Sequence, residues 1–188
     1  MSNEYKDWER DKIEMENAIV KRFPFLRVRD IDGNVDMNAK FPMTGLEIPN
    51  GWYQLFFQMC DDIKPILEEK GLLNDFYFIQ VKEKYNALRC YASRSVQEVD
   101  EILQKYEAMA KYICTVCGKA AEYETKGYIT SFCKDCWENR VRHEKCERIR
   151  FAPSFDVTGR KNGQSYKKTV SFQDEWDRYI GGNDCDKS

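Results

Sequence analysis

Residues 113–137 read ICTVCGKAAEYETKGYITSFCKDCW, a stretch with four cysteines in the pattern Cys-x2-Cys-x15-Cys-x2-Cys. Two residues between cysteines allow one tight turn to direct both sulphurs at the same ion, and the longer segment brings the second pair round to complete a tetrahedron. Zn²⁺ takes this geometry in closed structural sites. The spacing therefore predicts one structural Zn²⁺ per chain. Its predicted ligands are Cys114, Cys117, Cys133 and Cys136.

The residues between and after the cysteines predict the type of zinc module. Gly118 follows the second cysteine and supplies the positive φ that a metal-binding knuckle needs. A hairpin is expected, with residues 121–123 and 128–130 on either side of Gly127. The second cysteine pair then lies in the first turn of a helix that runs to about Arg150. These elements predict a treble clef; the alternative, a zinc ribbon, would place the second pair on another knuckle.

The rest of the sequence predicts an α+β fold, with helices packed on a small antiparallel β-hairpin or sheet. Apolar residues at a spacing of three and four indicate helices, and runs of β-branched and aromatic residues indicate strands. Pro65 lies inside one helical pattern, so a kink or a restart is expected there. The predicted elements are a helix over 4–23, an irregular segment with short strands over 25–49, a helix from an N-cap at Asn50 to Gly71, a hairpin over 75–92 with Asn86 near its turn, and a helix that opens with the capping box Ser95-x-x-Glu98 and ends near Ile113.

The order of these elements predicts three regions along the chain. The last region is polar, with a loop tip expected over 158–163 and a cap at Ser171-x-x-Asp174 that starts a short helix. The chain also contains 11 Phe, 11 Tyr and 4 Trp, which indicates an aromatic-rich core or a contact surface. The predicted regions are an α+β domain over 1–110, a zinc module continuous with it over 111–152, and a C-terminal extension over 153–188.

The net charge of −2 is unevenly distributed. Residues 1–110 carry −5 and residues 111–188 carry +3, and the excess of basic side chains lies between Arg140 and Lys168. Such a stretch could contact phosphates or an acidic partner; a solvated helix face followed by a polar loop explains it equally well. The candidate contact residues for a partner or a nucleic acid are Arg140, Arg142, Lys145, Arg148, Arg150, Arg160 and Lys161.

A single histidine, His143, limits the enzyme classes that this chain could belong to. Two-histidine zinc proteases and His-x-Glu deaminases need ligands that it lacks. An HNH-type nuclease is disfavoured because the segment between the cysteine pairs contains no histidine to act as a general base. The sequence also has no phosphate-binding loop, dinucleotide fingerprint or nucleophile elbow. We therefore expect a protein without catalytic residues.

The remaining cysteines indicate the compartment rather than a second site. Cys60 and Cys90 are expected to pack as small apolar residues, and Cys146 lies too far along the predicted helix to join the ion. Eight cysteines in a chain without a secretion signal suggest a reducing compartment. No apolar run approaches the roughly 20 residues of a membrane span. A cytoplasmic location is expected.

Several motifs occur together in a specific order: Gly51-Trp52, Gln80-Val81-Lys82-Glu83-Lys84-Tyr85, Leu88-Arg89-Cys90-Tyr91 and Cys114-x2-Cys117-Gly118. In this respect the chain resembles a family of small zinc-binding proteins found in bacteriophages and bacterial genomes. The resemblance covers about residues 20–137, and many relatives end the site in Cys-x2-His where this chain has Cys136. It implies a zinc site, a phage-type origin and a location in the host cytoplasm.

Three functions are compatible with these features. The first is a non-enzymatic, zinc-stabilised interaction protein that binds, and could inhibit, a host protein such as a defence enzyme. The second is a nucleic-acid-binding treble-clef protein, which the basic stretch would serve. The third is the binding or sequestration of a small nucleotide. The first is favoured, because the metal site is closed and the aromatic content is high.

Overall fold

The computed structural model of the chain describes residues 18–29, 32, 34, 46–140, 146–149, 152, 154–161 and 163–181. Within these residues, helices pack against three small antiparallel sheets, so the predicted α+β class is confirmed. None of the helices in this part of the chain is long and apolar enough to cross a bilayer. The elements are α1 (Tyr53–Glu69), β1 (Tyr77–Glu83), β2 (Leu88–Ser93), α2 (Gln97–Ala110), β3 (Tyr123–Thr125), β4 (Ser131–Phe132), α3 (Lys134–Arg140), β5 (Cys146–Arg148), β6 (Ser154–Lys161), β7 (Gln164–Ser171) and α4 (Phe172–Gly181).

Helix α1 forms because its apolar residues recur at a spacing of three and four, which buries one face. A 3₁₀ turn over Asn50–Trp52 leads into it, and the N-cap position is Trp52, whose side chain makes no capping hydrogen bond, so the predicted N-cap at Asn50 is wrong. The helix continues without a restart through Pro65, which is exposed. Proline has no N–H to bond the carbonyl four residues earlier; that residue, Asp61, is exposed, so water can replace the lost hydrogen bond. The buried residues of α1 are Leu55, Phe56, Met59, Cys60, Ile63 and Leu67.

Strands β1 and β2 form the predicted hairpin, and helix α2 follows it. The backbone groups of Lys84 and Ala87 bond each other across a two-residue turn, and the turn residues Tyr85 and Asn86 both have positive φ. This is the backbone twist that joins antiparallel strands with least distortion. Helix α2 begins at Gln97 without a side-chain cap, so the predicted capping box is wrong. The Ser95 hydroxyl instead donates to the Asp100 carboxylate.

The core lies between α1, α2 and the β1–β2 hairpin, and aromatic rings fill much of it. Phe25, Phe76 and Phe78 meet edge to face, with ring centroids 5.2–6.1 Å apart. Edge-to-face contacts of this kind add to the stabilisation that burial provides. Trp52 is fully buried at the start of α1. The predicted helix over 4–23 is described only over residues 18–22, which are helical; its other residues lie outside the described part of the chain.

The region after residue 153 contributes to this core. Strands β6 and β7 form a hairpin that the polar sequence did not predict. The loop tip predicted over 158–163 is wrong for residues 158–161, which belong to β6; Gly163 lies in the turn. The hairpin docks on α2 because Gln104 exchanges hydrogen bonds with both backbone groups of Thr158, at 2.9 Å each. Helix α4 then returns Phe172 and Tyr179 to the core. The predicted cap of α4 is confirmed, since Ser171 Oγ accepts from the Asp174 N–H at 3.4 Å. The boundaries of the three predicted regions stay a prediction.

A partly buried polar cluster attaches α4 to α1 and α2. Asp62 on α1 accepts hydrogen bonds from the Tyr106 hydroxyl at 2.8 Å, from Lys105 Nζ at 3.2 Å and from Arg178 of α4. Lys105 Nζ also lies 3.1 Å from Glu175 Oε2, and its side chain is only 11% exposed. When one partner of an ion pair that is largely shielded from solvent is replaced, the fold loses stability, because the other charge is left uncompensated.

Replacement of Asp62 should therefore loosen α4. We expect Asp62→Asn to lower the free energy of unfolding by about 1–3 kcal/mol, because three donors lose their charged acceptor. Asp61→Asn is the matched control: its ion pair with Arg22 is exposed, so its loss should cost less than about 1 kcal/mol. Urea unfolding of both variants measures the difference. Equal effects would show that the cluster does not hold the helix.

Candidate metal centre

The four predicted ligand sulphurs lie close together. The Sγ atoms of Cys114, Cys117, Cys133 and Cys136 are all within 4.8 Å of one another, and those of Cys117 and Cys133 are 3.5 Å apart. A Zn–S distance of about 2.3 Å in a tetrahedron corresponds to about 3.8 Å between sulphurs. All four thiols are free. Within the described ranges this is the one group of three or more side chains that could hold a metal ion.

The first cysteine pair lies on a tight turn. The Gly118 N–H donates to the Cys114 carbonyl at 3.0 Å, and the Cys114 N–H donates to the Lys119 carbonyl at 2.8 Å. Gly118 has φ +77°, as predicted from its place after the second cysteine. A residue with a Cβ is strained in this left-handed conformation, so glycine suits the turn. The turn directs Cys114 and Cys117 to the same point.

The second pair lies at the start of α3, as predicted. Cys133 immediately precedes the helix, and the Cys136 N–H donates to its sulphur at 3.4 Å. The free N–H groups of a first helical turn favour negative charge, which suits thiolate ligands. The ring of Trp137 stacks on that of Tyr123 at 4.5 Å, which fixes α3 against β3.

The prediction that this helix runs to Arg150 is wrong. Residues Cys146–Arg148 form strand β5, which pairs with β3. Arg148 lies over the Tyr123 ring at 6.0 Å, and Lys126 pairs with Glu147 at 2.9 Å. Backbone pairing with β3 therefore outweighs the helical preference of this segment. Cys146 lies on β5 and is not part of the sulphur group.

The electrostatics of the four-cysteine cluster favour the thiolate form of Cys117, its exposed member. Burial acts to raise the pKa of Cys117, but hydrogen bonds from the Lys119 N–H and the neighbouring thiols outweigh it, so this pKa is lowered. Burial, together with hydrogen bonds to Cys117 and Cys133, raises the pKa of Cys136 well above its ordinary value. Burial also raises the pKa of Cys133. A cation must therefore displace protons from these thiols, so metal affinity should fall as the pH is lowered.

On its inner side, the cysteine knuckle contacts the hydrophobic core through Gly51 and Trp52, a contact that the sequence did not predict. The Gly51 N–H donates to the Thr115 carbonyl at 2.9 Å, and a Cβ at Gly51 would lie 2.1 Å from the Cys114 carbonyl oxygen. Trp52 Nε1 donates to the Ile113 carbonyl at 3.2 Å. The Tyr179 hydroxyl donates to the carbonyl of the knuckle glycine at 3.1 Å. The Gly51-Trp52 pair could have indicated this contact from the sequence, because glycine is often found where two backbones approach closely.

Of the candidate basic contacts, Arg148 and Arg160 are the two whose side chains lie in the described part of the chain. Arg148 is exposed on β5 and Arg160 is exposed on β6, and these strands belong to different sheets. Lys167 is paired with Asp156 at 2.8 Å. The side chains of Arg140, Arg142, Lys145, Arg150 and Lys161, and His143, lie outside the described residues.

The sulphur geometry predicts one metal ion per chain. We expect Cys133→Ser to remove most of the bound metal and to lower the melting temperature by several degrees, because a hydroxyl is a poor substitute for a thiolate ligand. Cys146→Ser is the control, since it removes a nearby thiol that is outside the group. Elemental analysis and thermal melting measure both effects. Full metal content in Cys133→Ser would contradict the assignment.

The contact of Gly51 with the knuckle can be tested separately. Gly51→Ala should lower the free energy of unfolding by about 3 kcal/mol or more, because the new methyl group meets fixed backbone atoms. Gly71→Ala serves as the comparison: the φ of Gly71 is +68°, but no atom of the described residues would lie within 4 Å of the new Cβ, so the change should cost only about 1 kcal/mol of backbone strain. Chemical unfolding of metal-loaded protein gives both values. A smaller loss for Gly51→Ala than for Gly71→Ala would exclude the close approach.

The resemblance to phage zinc-binding proteins rests on the sequence motifs and stays a prediction. Comparison of the chain with protein-family models, curated proteins and solved structures gives no significant match.

Proposed function

We propose that the four cysteines hold one structural Zn²⁺ in a treble-clef-like module. The support is the combination of a cysteine knuckle, the β3–β4 pair and a second cysteine pair at the start of α3. Four thiolates suit Zn²⁺ and leave no open position for a substrate. The ion would therefore stabilise the fold, and the function would lie elsewhere on the surface.

We further propose that the protein acts by binding another protein, and one observation carries this proposal. Among the described residues, six large hydrophobic side chains are exposed, and five of them lie on the β1–β2 hairpin or the adjoining 126–130 loop. The Tyr128 hydroxyl donates to Glu83 at 2.7 Å, which joins the loop to the hairpin. A concentration of exposed tyrosine and isoleucine is typical of protein interfaces. This hairpin surface consists of Ile79, Tyr85, Tyr91, Tyr128 and Ile129, each 43–76% exposed.

The alternative is nucleic-acid binding. It would use the basic stretch, but Arg148 and Arg160 lie on different sheets and Lys167 is already paired with an aspartate. The net charge of −2 also gives little long-range attraction to a polyanion. On the resemblance to phage proteins, we propose that the partner is a protein of the bacterial host, such as a defence enzyme, met in the host cytoplasm.

Capture of partners from bacterial lysate, with and without nuclease, tests the proposal. We expect the full chain to retain a protein after nuclease treatment, and Tyr91→Ser to weaken that complex at least tenfold, because exposed aromatic residues contribute most at interfaces. Tyr53→Ser is the matched control, since Tyr53 is exposed on α1, outside the hairpin surface. Loss of the complex in both variants, or in neither, would contradict the role of this surface.

A mobility-shift titration with duplex DNA, single-stranded DNA and RNA tests the alternative. We expect no submicromolar binding at physiological salt. Tight binding that weakens steeply with salt and is lost in Arg148→Ala and Arg160→Ala would instead establish the nucleic-acid function.

A further inference from the structure

A cavity of about 370 Å³ opens beside the hairpin surface. Residues 46–49 form one wall, the end of β1 and its turn form the second, and residues 128–130 form the third. Its volume is within the range of small-ligand pockets. Tyr128 and Ile129, two members of the hairpin surface, lie at its rim.

Asn86 lines this cavity and carries a buried oxygen without a partner in the described part of the chain. The residue is only 3% exposed. Its side-chain N–H donates to Ser131 Oγ at 2.6 Å, and that hydroxyl donates in turn to the Lys111 carbonyl at 2.7 Å. The chain of donors fixes which end of the amide faces Ser131, so the buried Oδ1 is the end that has no hydrogen-bond partner among the described residues. A buried acceptor of this kind is costly unless a donor reaches it.

Glu83 and Glu47 are the acidic residues among the described residues that line the cavity. Glu83 is held in place because its Oε1 accepts from the Asn86 N–H and its Oε2 accepts from Tyr128, each at 2.7 Å. The backbone of Glu47 pairs with β1, at 3.1 Å to the Val81 carbonyl and 2.8 Å from the Glu83 N–H, and its Oε2 accepts from Gln80 Nε2 at 3.3 Å. Each carboxylate oxygen can accept a further hydrogen bond. No lysine or arginine is among the described residues that line the cavity.

We propose that this cavity binds an arginine side chain presented by the protein partner. A guanidinium carries donors in a planar fork, so it can pair with a carboxylate in two hydrogen bonds and direct another N–H at a neighbouring acceptor such as Asn86 Oδ1. Its flat face also suits the exposed Tyr128 ring at the rim. The acceptors that line the cavity match this donor set. The inference rests on the proposed protein-binding function and names the chemistry of the partner.

Titration of the full, zinc-loaded chain with N-acetyl-arginine-N-methylamide, followed by amide NMR, tests the site directly. We expect saturable shifts at Asn86, Thr115 and Thr130, with an affinity at least tenfold higher than for the citrulline analogue. Citrulline has nearly the same shape but no charge. Equal affinity for the two probes, or shifts confined to other residues, would overturn the proposal.

Variants identify the groups that bind the probe. Glu83→Gln keeps the shape of the side chain and should weaken arginine binding at least tenfold, whereas Glu68→Gln, in an exposed pair with Lys64 on α1, should leave it unchanged. If Glu83→Gln fails to fold, the exposed Glu47→Gln gives the same test, with an expected loss of at least threefold. Undiminished binding of the arginine probe by folded Glu83→Gln would exclude the cavity as the site. Where Glu47→Gln replaces that variant, undiminished binding by Glu47→Gln would exclude it in the same way.

The lysate complex separates this inference from the proposed function. If the complex is lost in Tyr91→Ser but kept in Glu83→Gln, the protein binds a partner and the arginine assignment is wrong. Loss of the complex in Glu83→Gln, together with competition by the arginine probe but not the citrulline probe, is the expected result. Absence of any complex would refute the proposed function and the partner arginine together, whatever the probe binding.

Discussion

The approach of the Gly51 backbone to the cysteine knuckle is the constraint on which the rest of the structure depends. The backbones meet closely enough that a single added methyl group would overlap the Cys114 carbonyl. Around this contact, Trp52 reaches the residue before the knuckle and Tyr179 reaches the glycine within it. The hydrophobic core and the four-cysteine centre therefore share one set of backbone atoms, and neither can shift without disturbing the other.

The same centre extends outward to the hairpin surface. The carbonyl of Ser131 accepts the Thr115 N–H beside the knuckle, and its hydroxyl accepts the Asn86 amide at the hairpin turn. One strand residue thus links the cysteine turn to the proposed arginine cavity. The cavity walls come from segments far apart in the chain, and hydrogen bonds to Ser131, beside the four-cysteine group, join two of them. The proposed structural ion would in this way help set the shape of a surface that it does not touch.

The sequence allowed the elements with strong local patterns to be predicted, and non-local contacts account for the failures. The periodicity of α1, the β1–β2 hairpin and the cysteine spacing are local signals, and each appears in the structure. Residues 146–148 instead become a strand because β3 lies nearby in space, which no local pattern shows. The β6–β7 hairpin is polar and depends on Gln104, more than fifty residues away. Gly51 and Asn86 also matter through partners more than forty residues away in the sequence.

The position of Phe172 and Tyr179 has a consequence for how the protein is made. These residues complete the core, yet they are among the last described residues to emerge from the ribosome. Until they emerge, the region around Trp52 and Tyr106 lacks its final cover, although all four cysteines have already been synthesised. The proposed metal site can therefore assemble before the core closes during translation. A chain that stalls before α4 would carry the four-cysteine segment and an open apolar face, the kind of intermediate that chaperones bind.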